Sequence, residues 1–322
     1  MKAILCKQYG SPDILTLEEV EKPVPSENQL LVKIHAASAN PLDWHRMRGE
    51  PFIARLSGGL FKPKDIAIGA DFAGVVEAVG SGVTRFKPGD AVYGERFTGS
   101  FAEYLCVSEK IVAHKPENIS FAEAAATPVA AYTALQGLRD YGHIQAGQRV
   151  LINGAAGGVG TFAVQIARSF GAEVTGVCST RNLDLVRSIG ATHAIDYTKE
   201  DFTRSGQQYD LIFDAVGNRT APDMARALTP NGICTVAGFT SMALLFQTIL
   251  RGGWISRNTS KKIGLMPTAE SKLEDLIFLS GLLESGKVKP VIDRHYPLKE
   301  TAEAIRYLEK GHARGKVIVD VV

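Results

Sequence analysis

One short segment combines an apolar run with closely spaced glycines, a pattern that suits the binding of a diphosphate. Val150–Asn153 predicts a strand, and it leads directly into Gly154-Ala155-Ala156-Gly157-Gly158-Val159-Gly160. Small residues let a diphosphate approach the backbone, and N–H groups at the start of the following helix bind its charge. Because Ala155 stands where the strict G-x-G-x-x-G pattern has its first glycine, the segment alone also fits a glycine turn in any α/β protein.

The residues that follow complete a βαβ unit around this turn. Helical spacing of apolar residues predicts a helix over 161–170, and 172–178 reads as a second strand. That strand ends in Ser179, Thr180 and Arg181, with no acid. An Asp or Glu there would accept a hydrogen bond from the ribose 2′-OH of NAD and repel a 2′-phosphate, whereas arginine binds phosphate. The segment predicts a preference for NADPH, the alternative being an exposed arginine at a helix start.

The N-terminal part of the chain and the part from Val150 onward show different sequence patterns. At 322 residues the chain is long enough for two domains of ordinary size. From residue 1 to about 112, short apolar runs are separated by Gly, Pro, Ser and Asp clusters, which is typical of an all-β or barrel-like domain. From Val150 onward strands alternate with helices, which indicates βαβ crossovers and a buried parallel sheet. We therefore expect an α/β protein that pairs a β-rich domain with a doubly wound parallel-sheet domain.

Composition and charge argue against several kinds of partner. The net charge of +2 is too small to indicate nucleic-acid binding. The one local basic group is interpreted as a solvated face; it consists of Arg251, Arg257, Lys261 and Lys262. The longest apolar run, Met242–Leu250, is too short to span a bilayer, and the N-terminus enters a strand at once, without room for a signal peptide. Four scattered cysteines indicate neither disulfides nor a C-x-x-C metal site. We expect a cytoplasmic protein with no nucleic-acid and no membrane partner.

Five segments carry a resemblance to a known family. They are, in chain order, Asn40-Pro41-Leu42-Asp43, Gly69-Ala70-Asp71-Phe72-Ala73-Gly74-Val75-Val76, Phe86-Lys87-Pro88-Gly89-Asp90-Ala91-Val92, Ala155-Ala156-Gly157-Gly158-Val159-Gly160 and Arg314-Gly315-Lys316-Val317-Ile318-Val319. On these segments the chain resembles the medium-chain dehydrogenase/reductase superfamily, and specifically its zinc-independent quinone oxidoreductase-like branch. The resemblance implies a GroES-like substrate domain formed by residues 1–122 and 263–322, and a Rossmann NADPH-binding domain of residues 123–262.

The resemblance also bears on a metal site. In the zinc alcohol dehydrogenases of this superfamily a Cys, a His and a second Cys hold the catalytic metal, and those motif positions fall on Asn40, Ala70 and Ala126. Alanine has no ligating atom, and one Asn does not hold Zn²⁺ alone. Substitute ligands would have to come from His35, His45 and Asp71. Because scattered histidines are more often structural or surface residues, we expect no metal.

Three residues are the candidate catalytic groups. Asn40 and Asp43 match family positions that line the substrate cleft, although turn chemistry before a helix explains Asp43 equally well. Quinone reductases of the branch commonly carry a Tyr two places after this Asp, and here that place holds His45. Asn40 is expected to donate a hydrogen bond to the acceptor oxygen, and either His45 or water would supply the later proton.

The resemblance further implies a set of cofactor contacts. They are Thr127, Ala156, Gly157, Gly158, Val159, Ser179, Thr180, Arg181, Tyr197, Val216, Gly238, Phe239 and Lys316. The simpler interpretation of several of them is that they form turns at strand ends. Since ligands bind at the carboxyl ends of such strands, the two interpretations agree on the place.

Together these features predict an NADPH-dependent oxidoreductase that transfers hydride to a quinone or an α,β-unsaturated carbonyl compound without a metal. The superfamily resemblance implies a homodimer. One alternative is an alcohol dehydrogenase or ketone reductase of the same fold. Another is a non-catalytic NADPH-binding sensor or structural protein.

Overall fold

The computed structural model describes residues 1–52 and 55–322, and within them the chain forms two compact units. Unit 1 comprises Met1–Ala130, Ser271–Gly286 and Pro290–Val322, and unit 2 comprises Ala131–Glu270 and Lys287–Lys289. The sequence placed the boundaries at 122/123 and 262/263. In the structure the chain passes from unit 1 to unit 2 after Ala130, and it returns to unit 1 at Ser271. Residues 123–130 pack with unit 1 and residues 263–270 pack with unit 2, so both boundaries lie later in the chain than the sequence predicted.

The strands, in chain order, are β1 (Lys2–Leu5), β2 (Thr16–Glu19), β3 (Gln29–Ala39), β4 (Asp71–Val79), β5 (Ala91–Glu95), β6 (Tyr104–Ser108), β7 (Val112–His114), β8 (Arg149–Asn153), β9 (Glu173–Cys178), β10 (His193–Asp196), β11 (Tyr209–Asp214), β12 (Leu228–Val236), β13 (Lys262–Leu265), β14 (Ile292–Pro297) and β15 (Lys316–Asp320). The helices are α1 (Pro41–Arg48), α2 (Arg55–Gly58), α3 (Phe121–Ala125), α4 (Pro128–Gln136), α5 (Gly158–Ser169), α6 (Leu183–Ser188), α7 (Ala221–Ala227), α8 (Met242–Gln247), α9 (Gly253–Asn258), α10 (Leu273–Glu284) and α11 (Thr301–Glu309). A π-helical turn, Thr248–Gly252, joins α8 to α9.

Unit 1 is built on a mixed sheet whose centre is the long strand β3. The strand order is β14-β15-β3-β4-β5-β7, and β6 also pairs with β3. Pairing is antiparallel except between β14 and β15. The end of β3 is held on both sides, since Ala39 lies opposite Val317 of β15 and Ser38 lies opposite Asp71 of β4. This register brings the starts of β4 and β15 to the residue that follows β3, Asn40.

Unit 2 is a six-stranded parallel sheet in the order β10-β9-β8-β11-β12-β13. Its central strands β8 and β11 contain apolar runs that are fully buried, Val150-Leu151-Ile152 and Leu211-Ile212-Phe213, as expected for a sheet covered on both faces. From β8 the chain winds outward to β10 and then returns to β11 on the other side of β8, so the switch point lies between β8 and β11. Ligands of doubly wound sheets bind outside the carboxyl ends of the strands at such a point. The predicted α/β architecture, with a β-rich unit and a parallel-sheet unit, is confirmed.

The sequence predicted the short elements less well than the long ones. Residues 1 to about 112 were expected to hold strands and turns, with only the turn chemistry of Asp43 indicating a helix start, and the structure has helix α1 at Pro41–Arg48. Helix α1 has eight residues and is fixed by its ends: Pro41 occupies its first position, and Gly49 follows it with φ 63°, a conformation that favours glycine. Such short elements carry too few residues to show a hydrophobic period.

Candidate active site

A buried polar cluster in unit 1 surrounds the carboxylate of Asp71. Its Oδ2 accepts hydrogen bonds from Ser38 Oγ at 3.2 Å, Asn40 Nδ2 at 2.9 Å and Lys316 Nζ at 3.2 Å. Its Oδ1 accepts from the backbone N–H of Val129 at 2.9 Å. The side chains of Asp71 and Lys316 are 0% and 3% exposed. A buried carboxylate of this kind is tolerated because a cation and three further donors compensate its lost hydration.

Asn40 is fully engaged inside this cluster. Its amide group donates to Asp71 and to the backbone carbonyl of Ser38 at 3.1 Å, and its Oδ1 accepts from Lys316 Nζ at 2.5 Å. An Asn side chain has two N–H donors, so both are used within the protein. The expected direct hydrogen bond from Asn40 to a substrate oxygen would therefore require one of these bonds to break.

Asp43 lies in the first turn of α1 and is completely buried. Its Oδ2 accepts the backbone N–H of Asn40 at 2.8 Å, whereas its Oδ1 has no hydrogen-bond partner among the described residues. Burial, reinforced by the nearby Asp71 charge, raises the pKa of Asp43 to about 7. The turn chemistry considered from the sequence is present here, in a carboxyl group that takes up a proton near neutral pH.

His45 lies on the same helix but outside the cluster. Its ring stacks on Trp44, with 3.7 Å between ring centroids, and its Nδ1 lies 3.1 Å from the carbonyl oxygen of Glu50. A carbonyl only accepts, so this contact assigns the proton to Nδ1. Burial lowers the pKa of His45. The imidazole is therefore neutral at pH 7, and a neutral imidazole is a weak proton donor.

A further carboxyl group, Glu95, was not found from the sequence. It lies opposite Asp71 in the β4–β5 pair and accepts a hydrogen bond from Ser271 Oγ at 2.6 Å. Burial and the neighbouring Asp71 charge raise its pKa to about 7.

The sequence does contain one indication of the buried role of Asp71, the central residue of this cluster. Asp71 opens an otherwise apolar strand, and acids are rarely buried without a partner.

In unit 2 the glycine segment forms the tight turn that a diphosphate site needs. Gly154 has φ 84°, and Gly157 directly precedes the first residue of α5. A Cβ on Gly160 would lie 2.0 Å from the carbonyl oxygen of Gly154, so helix and turn approach too closely for any side chain there. The first turn of a helix has N–H groups without intrahelical partners, which suits an anionic ligand.

The corner after β11 is fixed by a buried acid. Asp214 Oδ1 accepts from Asn153 Nδ2 at 2.8 Å and from the backbone N–H groups of Val216 and Gly217 at 3.0 and 2.9 Å. Burial raises the pKa of Asp214. A Cβ on Gly217 would lie 2.1 Å from the carbonyl oxygen of Gly238. The expected cofactor positions Val216 and Gly238 therefore lie side by side at the carboxyl ends of β11 and β12.

The end of β9 also gathers its expected residues, together with an acid that the local sequence does not show. Tyr197 donates its backbone N–H to the carbonyl of Cys178 at 3.0 Å, which brings it beside Ser179 and Thr180. Asp196, paired with Cys178 across the sheet, accepts from Thr180 Oγ1 at 2.5 Å. The hydroxyl groups of Thr180 and Thr198 lower its pKa to about 2. Residues 178–182 contain no acid, but in the folded protein Asp196 places a carboxylate beside Thr180.

The remaining expected positions are distributed between the two units. Thr127 is buried in unit 1, where its hydroxyl donates to the carbonyl of Glu123 at 2.9 Å, and Lys316 belongs to the Asp71 cluster. Phe239 is exposed in unit 2, as is Arg181. Within the described residues, no group of three or more His, Cys, Asp or Glu side chains is placed to hold a metal ion. No helix in the same part of the chain is long and apolar enough to cross a membrane.

A β-rich unit with a buried polar cluster and a parallel-sheet unit with a glycine-lined helix start define a two-domain dehydrogenase. Two family models match: an alcohol dehydrogenase GroES-like domain over residues 26–117 and a zinc-binding dehydrogenase domain over residues 189–319. The chain belongs to the medium-chain dehydrogenase/reductase superfamily, in its quinone-oxidoreductase-like branch. The predicted family is thereby confirmed.

Individual relatives match over the whole chain. A 2-methylene-furan-3-one reductase of Solanum lycopersicum is 39% identical, and the match covers 99% of this chain and 79% of that protein. An NADPH-dependent alkenal/one oxidoreductase of Arabidopsis thaliana is 38% identical with the same coverage. The solved structure of a quinone oxidoreductase from Coxiella burnetii superposes with a TM-score of 0.87 at 32% identity, covering 100% of this chain and 99% of that one.

Proposed function

We propose that this protein is an NADPH-dependent oxidoreductase that reduces quinones or α,β-unsaturated carbonyl compounds without a metal ion. The observation that carries the proposal is the Asp71 cluster. At the positions where zinc-containing relatives have metal ligands, this chain has Asn40, Ala70 and Ala126. Asn40 instead belongs to a hydrogen-bonded network with Asp71 and Lys316. An activated acceptor delocalises the arriving negative charge, whereas a plain ketone needs stronger electrophilic help, such as zinc or a positioned acid.

NADPH supplies a hydride to the acceptor, and the residues of unit 2 fit this cofactor. The turn at Gly154 and the first turn of α5 bind the diphosphate through backbone N–H groups, and only small residues fit there. Arg181 binds the 2′-phosphate together with the hydroxyls of Ser179 and Thr180 and the exposed Tyr197. Val216, Gly238 and Phe239 would contact the nicotinamide half.

In this proposal the three candidate catalytic residues, Asn40, Asp43 and His45, have other roles than those expected from the sequence. Asn40 and Asp43 order the buried cluster, since Asp43 holds the backbone of Asn40 and Asn40 holds the ammonium of Lys316. Because His45 is neutral and its Nδ1 proton faces the Glu50 carbonyl, water is the proton source that we propose.

We also propose a homodimer. The helical segment Met242–Asn258 packs Thr248, Gly252 and Ile255 inward and exposes large apolar side chains on its other side. These are Met242 (38% exposed), Phe246 (57%), Ile249 (51%), Leu250 (72%) and Trp254 (65%). A contiguous apolar face of this kind marks an interaction surface, and a second copy is the partner that we infer.

We propose the cytoplasm as the location, which suits the four free thiols.

The test is NADPH oxidation by a quinone, an enone and a simple ketone measured in parallel. We expect turnover of at least one activated acceptor and little with the ketone. Faster turnover of the ketone than of both activated acceptors would instead support a ketone reductase, and no turnover with tight NADPH binding would support a sensor. Light scattering at several concentrations tests the dimer.

A further inference from the structure

We propose that the ammonium group of Lys316 is the electrophile of the active site, donating a hydrogen bond to the carbonyl oxygen of the acceptor. This inference rests on the proposed function and assigns its missing oxygen-binding group. It moves Lys316 from the expected cofactor contacts to the residues that contact the substrate.

The first argument is the position of the positive charge. Lys316 Nζ lies 2.5 Å from Asn40 Oδ1, at the motif position of the first zinc ligand in the metal-containing relatives. It lies 3.2 Å from Asp71 Oδ2, and Asp71 directly follows Ala70, the second motif position. The chain that follows the third position, Ala126, contributes the Val129 N–H to the same carboxylate. Three segments that elsewhere converge on a metal therefore converge here on an Asp–Lys pair.

The second argument concerns donors and acceptors. An ammonium group has three N–H donors, and within the described residues Lys316 has two partners, Asn40 and Asp71. A buried N–H without a partner costs free energy, so the third donor favours a ligand oxygen. Asn40 has no N–H left to donate, because Asp71 and the Ser38 carbonyl take both. Among the groups of the cluster, Lys316 retains donor capacity.

The third argument is chemical. When hydride bonds to the β-carbon of an enone, the C=C electron pair shifts, the former C=O π pair moves to oxygen, and an enolate forms. A preorganised cation in a low-dielectric site stabilises such developing charge more strongly than water does. Lys316 donates a hydrogen bond in this step and transfers no proton. Water then protonates the α-carbon, which restores the carbonyl, and the hydroxide that remains takes up the one solvent proton that the reaction consumes; the products are the saturated carbonyl compound and NADP⁺.

Asp71 is a positioning residue in this arrangement. It offsets the cost of burying the ammonium and fixes its direction, while Asn40 constrains it from a second side. Removing Lys316 alone would leave Asp71 as a buried, uncompensated charge and would endanger folding. The test therefore uses Lys316→Met together with the double variant Lys316→Met/Asp71→Asn, in which both charges are removed. Lys299→Met, an exposed lysine of the same unit, is the matched control.

The first readout needs no cofactor: binding of 4-nitrophenol, whose anion mimics an enolate oxygen and absorbs visible light. We expect the wild-type protein and Lys299→Met to bind the anion at least about tenfold more tightly than the charge-free double variant does, as a lost charge-assisted hydrogen bond implies. Equal binding of the anion by all variants, or no binding by the wild type, would overturn the proposal.

The second readout separates a substrate role from a cofactor role. Removing one oxyanion donor costs about 10²- to 10³-fold in kcat, so the double variant should lose that much enone turnover while its Kd for NADPH stays within about threefold of wild type. A weakened Kd for NADPH with unchanged kcat would return Lys316 to the cofactor contacts. The proposed function is judged separately, by whether the wild-type enzyme reduces enones or quinones at all.

Discussion

The carboxylate of Asp43 accepts the backbone N–H of Asn40 at 2.8 Å, and its other oxygen is buried without a hydrogen-bond partner among the described residues. One side chain thus stabilises the start of helix α1 and carries an unfavourable charge. The neighbouring Asp71 adds to the cost of ionisation, and Lys316 and Arg46 only partly offset it.

This arrangement predicts a pH-dependent stability. The pKa of Asp43 is about 7 in the folded protein, whereas its ordinary value is 3.8, so the folded state binds more protons between these pH values. Stability must then fall as pH rises through that window. Asp43→Asn keeps an acceptor for Asn40 and removes the titration. Its free energy of unfolding relative to wild type should rise from pH 4 to pH 8, by an amount on the order of a few kcal/mol.

Urea unfolding at several pH values measures this difference. Asp184→Asn changes a fully exposed carboxylate and serves as the control, with an expected difference that stays nearly constant. Parallel stability curves for wild type and Asp43→Asn would show that the Asp43 carboxyl is not destabilised by burial.

Arg181 should determine the preference for NADPH over NADH. Charge-assisted hydrogen bonds contribute about 1.5 to 3 kcal/mol, so Arg181→Ala should weaken NADPH binding about 10- to 100-fold and leave NADH binding nearly unchanged. Fluorescence titration of both cofactors gives the ratio, with the exposed Arg187→Ala as control. If the ratio of NADPH to NADH affinity is unchanged in Arg181→Ala, Arg181 does not bind the 2′-phosphate. The Thr180–Asp196 pair would then be the next candidate to test for control of cofactor preference.

Two glycines of the same turn should respond differently to alanine. A Cβ on Gly160 meets the Gly154 carbonyl at 2.0 Å, whereas on Gly157 the nearest atom is 3.4 Å away. Gly160→Ala should therefore destabilise the protein by about 1 to 3 kcal/mol. Gly157→Ala should fold normally but bind NADPH more weakly, because its methyl group narrows the approach of the diphosphate. Thermal unfolding with and without NADPH distinguishes the two effects, and equal stability losses would contradict this assignment.

Activity should survive removal of metal ions. Asn40, Ala70 and Ala126 offer no zinc site of the family type, so dialysis against a chelator should leave kcat unchanged. Metal analysis should find zinc well below one equivalent per chain. Stoichiometric zinc that leaves together with activity, and restores it on return, would support the alcohol dehydrogenase alternative.

The two sites differed in how much the sequence could predict. The glycine turn and the β9 end were predicted in detail because their residues are consecutive, or follow strands whose order is set by βαβ winding. The Asp71 cluster was not, because Asp71, Asn40 and Lys316 meet only through the register of β3 with β4 and β15. For the same reason Asp196 was missed beside Thr180. Asn40 was recognised, but its direct role depended on donors that only the structure shows to be in use.

The most direct test of the central claim is to follow the hydride itself. NADPH deuterated at C4 is supplied with an enone, and the product is analysed by NMR. We expect the deuterium on the β-carbon of a saturated ketone, since the proposed role of Lys316 is to stabilise the charge that develops on the carbonyl oxygen. Deuterium on the carbinol carbon of an allylic alcohol would mean direct carbonyl reduction, and would contradict the account.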